Sequence, residues 1–203
     1  MARITPLTRE ELSDLEPLFE IVEKLMGFLP NSLLTMARWP ELLKAFVALA
    51  GVVNGPGTLG RETKQLVAFV SSRSAGCRYC QAHTSHGARR AGVSAAKIEA
   101  AFEFETSPLF SDAERAALRL ARDASLAPAA VDDSHFSELR EHFDPAATLE
   151  IVAVISLFGW LNRWNDTLAT GLESVPLQFA KEHLTEGGWA PGPHSDKLPE
   201  ARA

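Results

Sequence analysis

An all-α fold is predicted by three features of this sequence. Apolar residues recur at helical spacing, and no stretch alternates convincingly with period two. Glycine and proline fall between the periodic segments and almost never within them. A chain of 203 residues fits one domain, and a domain of this size buries roughly 70% of its unfolded surface.

Each predicted element has its own signal. Leu12, Leu15, Leu18, Phe19 and Val22 form one stripe of a helix from about Arg9 to Met26. Thr8 is placed to cap it, with Glu11 three residues on. Gly27 and Pro30 end it, Asn31 can start a short helix to about Arg38, and Pro40 another to Ala50. Gly51 to Gly60 reads as a loop. Arg61 to Ser74 is helical and buried on more than one side, Gly76 suits a turn, and Cys77 to Ala91 is the next helix, stopped by Gly92. Ser94 caps Ala95 to Phe104, and Ser111 with Glu114 opens Asp112 to Ala124. Asp132 or Asp133 begins a helix ending near Phe143. Pro145 precedes a long apolar helix, Ala146 to Phe158, followed by Asn162 to Leu172 and Pro176 to Leu184. Residues 1–185 are expected to form the domain and 186–203 a loose tail, because Gly-Gly-Trp-Ala-Pro-Gly-Pro lacks helical character.

The formal net charge of −6 argues against nucleic acid as a partner. No apolar run approaches the roughly 20 residues of a membrane span, and the first residues do not read as a signal peptide. A cytoplasmic, reducing location is expected, where two cysteines are catalytic or metal-binding more often than a permanent bridge.

Sliding the chain by 85 positions aligns Leu66-Val67-Ala68-Phe69-Val70-Ser71 with Ile151-Val152-Ala153-Val154-Ile155-Ser156, and Cys77-Arg78-Tyr79-Cys80 with Asn162-Arg163-Trp164-Asn165. Two degenerate helical-hairpin repeats are expected, over about 40–105 and 110–184. Only the first keeps thiols, and Asn162 and Asn165 become scaffold amides in the second.

Cys77, Cys80 and His83 carry the chemistry. On a helix, positions i and i+3 bring Cβ atoms about 5–6 Å apart, and a disulfide wants about 4 Å. Their disulfide should be slightly strained and reducible, as suits a cycling bond. At a helix start, free N–H groups and the macrodipole favour thiolate. A free thiol is only about 3% ionised at pH 7. His83, one turn beyond Cys80, could take its proton, with Cys80 attacking and Cys77 resolving. Cys77, Cys80, His83 and His86 cannot all hold one zinc, since each three-residue step turns back by about 60°. A site using two or three of them with an outside ligand stays open, but no metal or organic cofactor is expected. Phe46, Phe69, Tyr79, Phe158 and Trp164 are pocket-wall candidates by residue type, with core packing the commoner role.

The run Gln65 to Gly92, with CRYCQAHT inside it and ARRAG after it, resembles the alkylhydroperoxidase D-like branch of the carboxymuconolactone decarboxylase superfamily. Pro30-Asn31-Ser32-Leu33-Leu34 and Pro40-Glu41-Leu42-Leu43 resemble its N-terminal region, and Asn162-Arg163-Trp164-Asn165-Asp166 the second half of two-repeat members. The resemblance implies an orthogonal helical bundle, a homo-oligomer (dimer, trimer or hexamer), and a thiol peroxidase or disulfide oxidoreductase. Such an enzyme takes a small hydroperoxide and a dithiol or disulfide-reductase electron donor. It also implies the same roles for Cys80, Cys77 and His83, together with an upstream glutamate relay.

Two departures stand out. The family's histidine position is occupied by Thr84, and its glutamate position by Gln65, which cannot accept a proton as a carboxylate can. Glu62, one turn earlier, is the nearest substitute. In the repeat register, Glu150 fills the position that Gln65 does not, either reaching the site or as a remnant. The alternatives are a lyase like the decarboxylase relatives, which need no C-x-x-C pair, and a non-catalytic redox-responsive assembly module.

Overall fold

Residues 2–195 are described by a computed structural model, and their regular structure is helical throughout, with no strand among them. The first stripe is not one helix. Glu10–Leu15 winds as a 3₁₀ helix with Leu12 outside helical φ/ψ, and α1 covers Glu16–Met26. Pro17 accounts for the break: it has no N–H to give to the preceding turn but suits the first turn of a new helix. At Thr8 only half of the expected capping box forms, its N–H donating to Glu11 Oε2 at 2.7 Å.

Then come α2 (Asn31–Met36), α3 (Pro40–Asn54), α4 (Arg61–Ser74) and α5 (Arg78–Ala91). Next are α6 (Ala95–Glu99), α7 (Asp112–Ala124), α8 (Asp133–His142), α9 (Pro145–Leu168) and α10 (Ser174–His183). The region after Ala50 is partly helix, since α3 runs on through Gly51 to Asn54. Ser111 and Glu114 form the full capping box expected at α7.

The two copies of the repeat differ at one place that matters. In the first, Gly76 adopts φ +82° and separates α4 from α5. In the second, Leu161 holds the matching position, and α9 continues unbroken where the sequence suggests an end at Phe158. The first copy therefore has a helix start at its thiols, and the second has none at its asparagines.

α4 packs on α5, α7 and α9, and α9 also meets α3, α5 and α7. Leu66, Phe69, Leu118, Leu120, Ile151 and Val154 belong to the main core. A smaller cluster of Leu12, Phe19, Leu33, Met36 and Leu43 closes over Leu161 and Trp164 of α9. By length and composition alone α9 could cross a membrane; its neighbours make it the central helix of both clusters.

Residues 186–195 are packed, against the expectation of a loose tail. Trp189 is buried and donates its indole N–H to Arg78 O at 3.1 Å, while the Arg78 guanidinium donates to Ala190 O at 2.9 Å. The Leu172 N–H donates to His194 O at 3.0 Å. The rest of the expected tail, 196–203, lies outside the described residues.

Glu150 turns out to hold the loop before α4. It pairs with the buried Lys64 Nζ at 2.8 Å and accepts from the Thr58 N–H at 2.7 Å and the Thr58 hydroxyl at 2.8 Å. The Lys64 hydrogen bond, opposed by burial and reinforced by Thr58, brings the Glu150 carboxyl down to about 2. Lys64 also donates to the carbonyls of Val53 and Gly55. Lys64→Met strips all three acceptors of their cation and is expected to cost about 2–3 kcal/mol. Thermal denaturation should show a Tm lower by roughly 5–10 °C, and an unchanged Tm contradicts this role for Lys64.

Candidate active site

Both cysteines are buried and reduced, at 0% and 2% exposure, where α5 begins. Cys77 is the N-cap, and its sulfur accepts the Cys80 N–H at 3.4 Å. The cap is a sulfur because Gly76 turns the chain sharply and leaves Cys77 extended (φ −73°, ψ 106°). A hydrogen bond to Cys80, then burial, then the charges of Cys80 and Asp166 push the Cys77 thiol far up, so that it keeps its proton. The Cys80 sulfur accepts an N–H from Asn165 Nδ2 at 3.5 Å. Cys80 and Asn165 occupy equivalent places in the two repeats, so matching positions meet. Asn165 therefore has a contact at the thiol in addition to its place in the scaffold.

His83 contacts a carboxylate that no motif in the sequence marks. Its Nε2 lies 2.6 Å from Glu173 Oε2, and the Tyr79 hydroxyl donates to Glu173 Oε1 at 2.9 Å. The Asn31 N–H, first in α2, donates to the same oxygen. Burial pushes Glu173 up, but the His83 charge and hydrogen bonds from His83 and Asn31 outweigh it and hold the carboxyl below its usual range. Tyr79 is pushed well up by burial first and the Glu173 charge second, so it stays a phenol. The His83 ring stacks on Tyr79 at 4.2 Å between centroids and meets the Phe28 ring edge-on at 5.1 Å. Half-buried His86 and Phe179 continue this aromatic rim.

The other expected site residues sit elsewhere. Gln65 packs its amide against Gly87, and Glu62 its carboxylate against Gly92, both toward the far end of α5 from the thiols. The hairpin explains this: α4 and α5 pack together across the Gly76 turn, so the start of α4, with Glu62 and Gln65, lies beside the later part of α5. Among the aromatic candidates only Tyr79 joins the site. Phe69 and Phe158 are core, and Phe46 and Trp164 stack on either side of Trp160.

Asp166 and His194 also lie beside the thiols. The sulfur of Cys77, a carboxylate oxygen of Asp166 and a ring nitrogen of His194 all lie within 4.8 Å of one another. Asp166 and Asn162 line a cavity of about 610 Å³ between α7, α9 and residues 125–131. No signal in the sequence pointed to His194, which sits in glycine- and proline-rich surroundings. Nor did any point to Glu173, which lies just before the start of α10.

The model of the carboxymuconolactone decarboxylase family matches residues 40–123. The structure of the debrominase Bmp8 is 42% identical, covering 88% of this chain and 96% of that one, with a TM-score of 0.83. This chain belongs to the carboxymuconolactone decarboxylase family. It shares the family's AhpD-like helical fold: the alkylhydroperoxidase AhpD core protein from Ralstonia eutropha JMP134 superposes with a TM-score of 0.75 over 88% of this chain at 23% identity, a likeness of fold alone. Bmp8 has also been solved as a cysteine-to-alanine variant in complex with 2,3,4-tribromopyrrole, 41% identical to this chain. An uncharacterized protein YnjA of Escherichia coli is 38% identical over 103 residues, which span 49% of this chain and 57% of that relative's length. Enzymes are thus among the proteins this chain resembles, the debrominase Bmp8 being one.

Proposed function

We propose that this enzyme is a dithiol oxidoreductase: Cys80 attacks a small electrophile and Cys77 then closes a disulfide with it. The observation that carries the reading is the pair of reduced sulfurs at the start of α5, one capping the helix through the other's N–H. Cys77 keeps its proton, and the Cys80 sulfur, which accepts the Asn165 amide N–H, is the one placed to attack. His83, one turn along α5 and oriented by Glu173, is the proton carrier for the substrate.

The likeness to Bmp8 favours a small halogenated heteroaromatic substrate, and the rim of Phe28, His86 and Phe179 suits a flat apolar ring. Cys80 takes the bromine, the C–Br electron pair stays on carbon, and that carbon receives a proton delivered through His83. Cys77 then displaces bromide from the Cys80 adduct. In sum, one aryl bromide and two thiols give one arene, one disulfide, bromide and a proton. A hydroperoxide fits the same site, yielding an alcohol, water and the disulfide, as the motif resemblance implies. In either case an external dithiol reopens the bond.

The test mixes reduced protein, without oxygen, with 2,3,4-tribromopyrrole and, separately, with hydrogen peroxide. Two thiols should disappear per chain faster than from free dithiothreitol, with one bromide released per disulfide in the first case. If the thiols stay reduced with both, the reading fails. Activity that survives thiol alkylation would instead favour the lyase alternative.

A further inference from the structure

Cys77 has an acid–base partner of its own, built from α9 and the segment after α10. His194 is 1% exposed, its Nδ1 2.8 Å from Thr170 O and its Nε2 3.0 Å from Asp166 Oδ1. A carbonyl can only accept, so Nδ1 donates to Thr170 O, and Nε2 is left to face the Asp166 carboxyl. Tyr79 separates this pair from the other one: its ring stacks on His83 on one side and lies 5.8 Å from the His194 ring on the other. The pair beside Cys77 is thus separate from the His83–Glu173 pair.

The resolving step needs such a group. Cys77 must lose its proton as it attacks, and the interior around it favours the thiol. The groups facing that sulfur are Cys80 from α5, Asp166 from α9 and His194 from the C-terminal segment. Of these, Asp166 alone combines a lone pair with a way out, being 42% exposed by side chain and lining the cavity.

Resting on the dithiol reading of the site, we propose that Asp166, held in place by His194, accepts the Cys77 proton as the disulfide closes. In that step the S–S bond forms, the bond from Cys80 sulfur to its bound hydroxyl or halogen breaks, and the leaving group departs with the electron pair. The proton moves to Asp166 and from there to water in the cavity. His194 is a positioning residue, since it acts through Asp166.

The two halves of the reaction can be timed separately. Reduced parent, Asp166→Asn and His194→Gln are mixed with stoichiometric hydrogen peroxide. Peroxide loss is followed directly, Cys80 sulfenate by dimedone trapping, and disulfide by mass spectrometry. Both variants should consume peroxide within about two-fold of the parent; Asp166→Asn should close the disulfide about 10²-fold more slowly, the lower end of what a positioned base contributes, and His194→Gln should slow closure by a smaller factor. Trapped sulfenate should rise accordingly, and Asp166→Glu should recover part of the rate. Closure at the parent rate in both variants overturns the proposal. So does an equal slowing of both steps, the mark of a merely structural role. If the parent does not react with peroxide, disulfide closure is timed with 2,3,4-tribromopyrrole instead; if it forms no disulfide with either, the dithiol reading fails first, and this inference with it.

Discussion

Cys80→Ser is expected to lower turnover by on the order of 10⁴-fold or more, as deletion of a nucleophile does. Serine keeps the size of the side chain and can still accept the Asn165 amide N–H, so the fold should survive. What it loses is a sulfur that attacks soft electrophiles and bonds reversibly to a second sulfur. Cys77→Ser should behave differently. The first attack remains, and the protein stops after one event with a sulfenate, halogen adduct or mixed disulfide on Cys80. Rapid-quench measurement of product per chain separates the two: less than about a tenth of an equivalent for Cys80→Ser, and close to one for Cys77→Ser. The reverse pattern would make Cys77 the attacking sulfur and Cys80 the resolving one.

Glu173→Gln should cost about 10²-fold in turnover, at the low end for loss of acid–base support. The glutamine keeps an oxygen for Tyr79 and Asn31, but it turns a charged partner of His83 into a neutral one. Stability should fall as well, by about 1–3 kcal/mol at neutral pH, because a buried ring loses its counter-charge. The sign with pH is fixed by the depressed Glu173 value. A carboxyl with a lowered folded pKa stabilises the protein above the ordinary carboxylate value, and that contribution fades as pH falls through the folded value. The stability gap between parent and Glu173→Gln should therefore narrow on acidification. Denaturant titrations at pH 7 and pH 4 check this, and a gap that widens in acid refutes it.

The helices were legible where their signals are local. Ser111 and Glu114 sit three residues apart and form their capping box, and Gly76 and Gly92 mark turns that only their positive φ allows. The first turn of α5 was legible too, since the position of a sulfur at a helix start follows from Gly76 and the C-x-x-C spacing. Partners remote in the chain were not. Glu173 is 90 residues from His83, and its choice over Glu62 depends on how α10 crosses α5, which no periodicity encodes. The same holds for His194, whose glycine- and proline-rich surroundings carry no helical pattern although Trp189 and Arg78 pin them down. α9 runs past the expected end at Phe158, through Gly159, to Leu168. A glycine inside a helix costs only about 1 kcal/mol, and the packing on both sides of α9 exceeds that.

The packed segment 186–195 has a consequence for synthesis. Cys77 emerges from the ribosome 117 positions before His194, the difference between their numbers. At roughly 5–20 residues per second, both thiols spend on the order of ten seconds without the residue that completes their surroundings. Until Trp189 docks on Arg78, the growing chain holds a reactive pair with no walls around it. The surroundings of both sulfurs are therefore complete only when nearly the last of the described residues falls into place.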